Sequence, residues 1–255
     1  MAIEQDQAVV IRLSEYSETS QIVALFTARL GHVRLIAKGA RRSTKTRFSA
    51  GLDLLELGEA GFVLPRGEAG LGTLTAWTQC DAFSGLRREL SRLYGGLYVI
   101  ELVWALTGEH DPHPELFDAL VAALRGLAGD APPLEAVVAF QRQLLTAVGL
   151  MPEFDRCVSC GRAAGGGFAY FSSAAGGLLC RDCEMHQHEK RRVSLSPRTT
   201  DAAALRTWFE LLDYHARNVA GREFTAARQF VESVARANAE NEPQRHRGTE
   251  KKGEV

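Results

Sequence analysis

Two Cys-x-x-Cys pairs constrain this chain more than any other feature. They stand in CVSCGRAAGGGFAYFSSAAGGLLCRDC as Cys157-x-x-Cys160 and, nineteen residues on, Cys180-x-x-Cys183. The two-residue gap lets both sulfurs of a pair turn toward one ion at about 2.3 Å, and the distance between the pairs is that of a four-thiolate zinc site. Gly161, directly after Cys160, suits a tight knuckle with positive φ. Four thiolates close a tetrahedron, so the pattern predicts one structural Zn2+ with no position left for water. His186 and His188, just downstream, could replace a cysteine and open the site. Two unrelated reduced pairs, or a dithiol switch, are the competing readings, but neither pair sits in a strand-to-helix redox setting.

The middle of this segment is rich in Gly and Ala and cannot hold a fold unaided, so its flanks matter. Upstream, AVVIRLS, QIVALFT, HVRLIAK, LDLLEL, FVLP and LGTLTAW read as short strands separated by turn signals such as RLGH, GEAG and RGEAG. No helical stretch interrupts them, which predicts a small closed or nearly closed β-barrel. From Asp81 the apolar period becomes helical: FSGLRRELSRLYGGLYVIELVWALTG, HPELFDALVAALRGLAG and PPLEAVVAFQRQLLTAVG precede the cysteines, and DAAALRTWFELLDYHARN and FTAARQFVESVARANA follow them. The expected fold class is α+β and multidomain: a barrel over residues 1–79, a helical domain over 80–152 and 193–240 interrupted by a zinc-binding insertion at 153–192, and a polar, disordered tail at 241–255.

At 255 residues, 45% hydrophobic and 24% charged, the composition is that of a folded globular protein. The most apolar run, LYGGLYVIELVWALTG, is short for a membrane span and carries Glu101. The start MAIEQDQAVVIRL is acidic where a secretory signal would be basic. A cytoplasmic protein without a membrane partner is therefore expected, and in that reducing compartment paired cysteines point to metal rather than disulfides.

A net charge of −1 says little, but its distribution says more. Residues 1–50 carry eight Lys/Arg against four Asp/Glu, and five of those bases, Lys38, Arg41, Arg42, Lys45 and Arg47, fall within ten residues that hold no acid. Strict alternation puts Val9, Ile11 and Leu13 on one face of their strand and Val10 and Arg12 on the other. It likewise sets Val33, Leu35 and Ala37 opposite His32, Arg34, Ile36 and Lys38. A basic loop beside a barrel face suits a polyphosphate backbone, with Phe48 a stacking surface or, more ordinarily, core. Arg12 or Arg34 taken singly reads as a solvated surface charge. A second run, Lys190, Arg191 and Arg192, extends the basic surface or is a solvated turn.

Other patterns carry less. His110, Asp111, His113 and Glu115 in HDPHPE read as a helix start rather than a metal site. GEAGLG has the wrong spacing for a dinucleotide fingerprint, and neither a P-loop nor G-x-S-x-G occurs. Cys80 reads as buried packing. No nucleophile or acid/base constellation is recognisable, so the chain is not expected to be an enzyme. A zinc-dependent or redox hydrolase is the least favoured reading, and a zinc-stabilised protein–protein adaptor without DNA annealing is the main alternative.

The stretches AVVIRLSEYSETSQIVALFT, GHVRLIAKGARRS, PELFDALVAALRGL and LLTAVGLMPEFDRCVSCGR together resemble the RecO family of bacterial recombination mediators over nearly the whole chain. EYSETSQIVALFT, AKGARR and GLMPEFDRCVSCG are the most specific parts. The resemblance implies an N-terminal OB-fold and a helical bundle that often carries a four-cysteine zinc module. It implies binding of single- and double-stranded DNA and ATP-free annealing of complementary strands. With RecR as partner, it implies help for RecA in replacing the single-strand-binding protein, in a nucleoid-associated setting. It implies DNA contacts first at Lys38, Arg41 and Arg42, then at Lys45, Arg47 and Arg34. Some members lack the cysteines, so zinc is not required for annealing as such. One feature departs from many OB-folds: the basic loop follows the third strand, whereas the first loop, SEYSETS, is acidic.

Overall fold

The six apolar segments of the N-terminal region assemble as five strands in the computed structural model, which describes residues 3–39, 52–65, 70–163, 168–194 and 202–241. These are β1 (Glu4–Glu15), β2 (Gln21–Thr27), β3 (Gly31–Ala37), β4 (Leu57–Val63) and β5 (Gly72–Asp81), closed into a barrel in the order β1-β2-β3-β5-β4. The β3–β5 pair is parallel and the other pairs antiparallel, giving an OB-like barrel. Its interior is filled by Val10, Leu25, Val33, Leu35, Phe62 and Trp77, among others.

Two local expectations are corrected. LDLLEL and FVLP are not separate strands: residues 54–55 form a turn, with Leu55 at φ 68°, and LGEAGFV is one strand through the supposed GEAG turn. Glycine is used inside this strand because a Cβ on Gly58 would lie 2.6 Å from both the Trp77 ring and the Thr78 carbonyl oxygen. Alternation also fails in β1. Val10 pairs with Leu25 and Arg12 with Ala24, which leaves Ile11 as a bulge and turns Arg12 onto the outer face with Val9. Leu13 consequently packs against the barrel interior, opposite to Val9. The alternation expected of β3 holds in that Val33, Leu35 and Ala37 face inward.

That outer face meets the helical unit, made of α1 (Leu90–Leu106), α2 (Pro114–Ala128), α3 (Pro133–Ala147), α4 (Ala202–Ala220) and α5 (Thr225–Asn241). Helix α1 is central: Tyr98, Val99, Leu102 and Val103 are fully buried in a core that also takes in Val9, Ile11, Ala24 and Phe26 of the barrel. At the β2–β3 turn, Gly31 (φ +67°) approaches so closely that a Cβ would lie 2.1 Å from the Asp111 carbonyl oxygen, and the His110 N–H donates to the His32 carbonyl at 3.0 Å. The HDPHPE segment is thus this junction and the start of α2, with His113 preceding Pro114. Cys80 is exposed on β5, not buried, because its position alternates outward from Trp77. No described helix is long and apolar enough to cross a membrane. Helix α5 runs through Asn241, and residues 242–255 of the expected tail lie outside the described residues.

The cysteine segment contains strands that its Gly/Ala content concealed: β6 (Phe168–Ser172), β7 (Gly177–Leu179) and β8 (Arg191–Ser194), in the order β7-β6-β8. It leans on α4 through Phe171, Leu178 and Val193 packed with Leu211. Two polar anchors fix the contact. Glu189 accepts from Ser172 Oγ at 2.8 Å, from the Ala174 N–H at 3.0 Å and from the Tyr214 hydroxyl. Burial works against its charge, but these donors hold its pKa below the usual carboxylate value. His215 Nε2 lies 2.9 Å from the Leu150 carbonyl and Nδ1 2.9 Å from Ser173 Oγ. Because a carbonyl can only accept, Nε2 carries the proton, and Nδ1 of the neutral ring accepts from Ser173.

Two measurements test this packing. Gly58→Val should lower stability by about 1–3 kcal/mol through overpacking against Trp77, read as a lower urea midpoint at unchanged slope. Burial lowers the pKa values of His32 and His215 below 6.5, for His215 against the Leu150 carbonyl and Glu189, which favour the charged ring. The folded chain therefore binds fewer protons than the unfolded chain, so this stabilisation is whole above pH 6.5 and is lost as pH falls below it. The melting temperature should drop on acidification from pH 7.5 to 5.5, and His215→Gln should flatten the drop. A pH profile identical to that of the parent would contradict the assignment.

Candidate functional site

The four cysteines of the module converge on one another. Each pair ends in a turn closed by backbone hydrogen bonds: Gly161 N–H to Cys157 O at 2.8 Å, and Cys183 N–H to Cys180 O at 3.1 Å. Gly161 takes the expected positive φ, 72°. All four Sγ atoms lie within 4.8 Å of one another, and those of Cys160 and Cys180 are 3.8 Å apart. With thiolate–metal bonds of about 2.3 Å, a regular tetrahedron has edges of about 3.8 Å, so the cluster can hold a metal ion. The Cys180 N–H donates to Cys157 Sγ at 3.3 Å, a contact that favours a thiolate. His186 and His188 are exposed and stand outside the cluster.

The protonation of the thiols reflects their crowding. Burial raises the Cys157 thiol, but N–H donors from Cys180, Cys160 and Ser159 outweigh it and bring its pKa to about 6. Cys183, hydrogen-bonded to Cys180 and Cys160, is pushed up to about 12. Four adjacent sulfurs cannot all ionise without a cation between them, and a bound divalent metal reverses that balance. With all four as ligands the coordination is closed.

The basic residues divide by location. Arg12, Ala24 and Arg34 form a row across β1, β2 and β3 on the outer wall of the barrel. Lys38, exposed, stands in the turn that follows β3. Arg34 is engaged by Glu109 at 3.0 Å. Arg12 is not a merely solvated charge: its guanidinium lies over the Trp104 ring, 4.9 Å from the centroid. Sequence reading missed this pair because the two residues are ninety-two positions apart and meet only through the β1–α1 packing. Arg41, Arg42, Lys45, Arg47 and Phe48 lie outside the described residues.

In the second run, Lys190 Nζ is 3.0 Å from the Glu184 carboxylate and 2.8 Å from its carbonyl. Arg191 lies 4.7 Å over the Tyr214 ring, and Arg192 pairs with Tyr170 across the sheet. Lys190 is thus already matched by a carboxylate; Arg191 and Arg192 lie exposed along β8, Arg191 over the Tyr214 ring. The sequence could not distinguish them, since Glu184 reaches Lys190 only when the second knuckle turns back.

Comparison with known proteins covers both parts of the chain. A family model described as Recombination protein O N terminal matches residues 1–83, and one described as Recombination protein O C terminal matches residues 87–246. The DNA repair protein RecO of Rhodopirellula baltica is 37% identical over 182 residues, 71% of this chain and 67% of that protein. The protein of the same name from Anaeromyxobacter dehalogenans is 39% identical over 175 residues, 69% of this chain and 68% of its own length. That of Listeria monocytogenes is 30% identical over 181 residues, 71% and 69% of the two chains.

Proposed function

Because the chain belongs to the RecO family, whose role is DNA repair and recombination, we propose that it is a non-enzymatic recombination mediator of the cytoplasm and nucleoid. It binds single- and double-stranded DNA and anneals complementary strands without ATP. With RecR, it helps RecA replace the single-strand-binding protein. The observation that carries this reading is the basic row of Arg12 and Arg34 on the outer wall of the barrel, with Lys38 exposed in the turn after β3 and the sequence continuing through Arg41, Arg42, Lys45 and Arg47.

Annealing requires no bond to be made or broken. Two polyanions must be brought together with their backbone charge neutralised and their base edges left free to pair, a task suited to Lys and Arg on a wall and an adjoining loop. The barrel holds one strand. Arg191 and Arg192, or the barrel of a second copy, hold the other. The ion in the cysteine cluster is one structural zinc, held by Cys157, Cys160, Cys180 and Cys183, which fixes the two knuckles and supplies no reaction chemistry.

The test is annealing of complementary oligonucleotides without ATP across a salt series. If about five phosphates are neutralised on a single strand, log K falls against log salt with a slope near about −3.5, roughly a hundredfold weakening from 50 to 200 mM. The Lys38/Arg41/Arg42 triple alanine variant should stay folded and lose the acceleration. A slope near zero would remove the backbone model, and failure of the parent to anneal would favour a protein–protein adaptor. For the metal, Cys157→Ser should abolish stoichiometric zinc and open the module to protease, since structural zinc contributes on the order of 10 kcal/mol of local folding free energy. Full zinc content with an unchanged melting temperature would contradict this.

A further inference from the structure

The barrel and the helical unit leave a cleft of about 490 Å³ between β1, α1 and α5, lined by Ile11, Arg12, Tyr94, Trp104, Arg222 and Gln229 among others. We propose that this cleft binds unstacked bases of single-stranded DNA, one on Arg12, held on Trp104, and another on Tyr94, about 15 Å along α1 at 1.5 Å per residue. The inference rests on the DNA-binding reading above and adds a base subsite to it.

Several features of the cleft support this occupant. Arg12, which lines it, stands in the same cross-strand row as Arg34, so a strand following the basic wall reaches it. The Arg12 guanidinium is carried by an indole that in turn packs on the buried His32 ring, centroids 4.4 Å apart, and it has no carboxylate partner among the described residues. A guanidinium supported in this way presents its other face to a base, as nucleic-acid binders use Arg and aromatic planes for unpaired bases. The one carboxylate in the lining, Glu101, is already engaged: it accepts from the Thr225 and Ala226 N–H groups at 3.0 Å each and lies 3.3 Å from Arg222. Gln229 Oε1 is buried with no hydrogen-bond partner among the described residues, an acceptor suited to a base N–H such as N3–H of thymine.

The neighbouring surface decides against an acidic peptide laid along the same helices. Past Tyr94 and Gln229 a second cavity of about 560 Å³ lies between α1 and α5, lined by Glu89, Glu232, Glu240 and Arg236, with Arg92 3.4 Å from Glu89 and Arg228 2.8 Å from Glu232. This cavity offers no surplus of positive charge to a polyanion, so the positive end of the groove is the Arg12 side, next to the barrel. An extended acidic peptide would have to run on past that charge.

The experiment compares the full chain's affinity, at one salt concentration, for a fluorescently labelled twenty-nucleotide oligothymidylate and for an abasic deoxyribose-phosphate oligomer of equal length and charge. The parent should prefer the oligothymidylate by about fivefold to a hundredfold, the range given by stacking of a single base. Arg12→Lys, which keeps the charge but not the plane, and Tyr94→Leu, which keeps bulk but not the ring, should each reduce the preference toward unity. In Tyr94→Leu, affinity for the abasic oligomer and its salt slope should not change. Salt-dependent binding of both oligomers with no preference in the parent, or an undiminished preference in both folded variants, overturns the cleft inference and leaves the DNA reading standing. Failure of the parent to bind either oligomer overturns the DNA reading, and the cleft inference with it.

Discussion

Everything else in the molecule depends on β1 being buried on both faces. Ala8 and Val10 point into the barrel, while Val9 and Ile11, with Ala24 and Phe26 of β2, enter the core built around α1. Each fully buried aliphatic or aromatic side chain of this kind contributes about 1.5–3 kcal/mol, so the outward set alone is comparable to the net stability of a typical domain. Neither part can lose the other without exposing that surface, and the barrel and bundle therefore behave as one folding unit. The packing also apportions the outer wall of the barrel: Val9, Ile11, Ala24 and Phe26 are sealed in the helical core, while Arg12 on Trp104 and Arg34 beside Glu109 remain exposed.

The bulge at Ile11 makes this division possible. Without it, period-two alternation would turn Arg12 inward beside Val10, burying a charge in an apolar barrel at a cost of several kcal/mol. With it, one additional apolar side chain enters the helical core and the guanidinium lands on Trp104. The same economy of position appears in Glu101. It interrupts the most apolar helix of the chain, yet both of its oxygens satisfy backbone donors at the start of α5, which removes most of the penalty of placing a carboxylate there.

The cysteine module follows a different logic. Its cysteine cluster is local, but its attachment is not: Phe171 packs on Leu211, Glu189 gathers three donors, and His215 bridges Ser173 to Leu150 in the segment after α3. Below that surface a buried chain of hydrogen bonds ties α4 to α1 and α3, with the Tyr98 hydroxyl donating to Asp213 at 3.0 Å and accepting from Gln141 at 2.8 Å. Burial raises the Asp213 carboxyl, against the pull of Arg217 and Tyr98, so the network depends on the nearby guanidinium at 2.9 Å. The module thus combines a cysteine cluster that can hold a metal ion with a contact on α4 that a buried polar network orders.

The sequence by itself determined what short-range geometry controls. The Cys-x-x-Cys spacing brings four sulfurs together, Gly161 takes positive φ, prolines start α2 and α3, and apolar periodicity marks the helices and most strands. These features were legible because each depends on residues a few positions apart. The tertiary structure alone decided whatever depends on contacts between distant segments. GEAG became strand because Gly58 lies under Trp77, Cys80 faced outward although it looked like core, Lys190 was claimed by Glu184, and Arg12 moved from a solvated charge to a stacked one. In each case the residue's own preference is worth less than one packing contact with a partner that the linear order does not bring near, so the partner, fixed by the shared core around β1, decides.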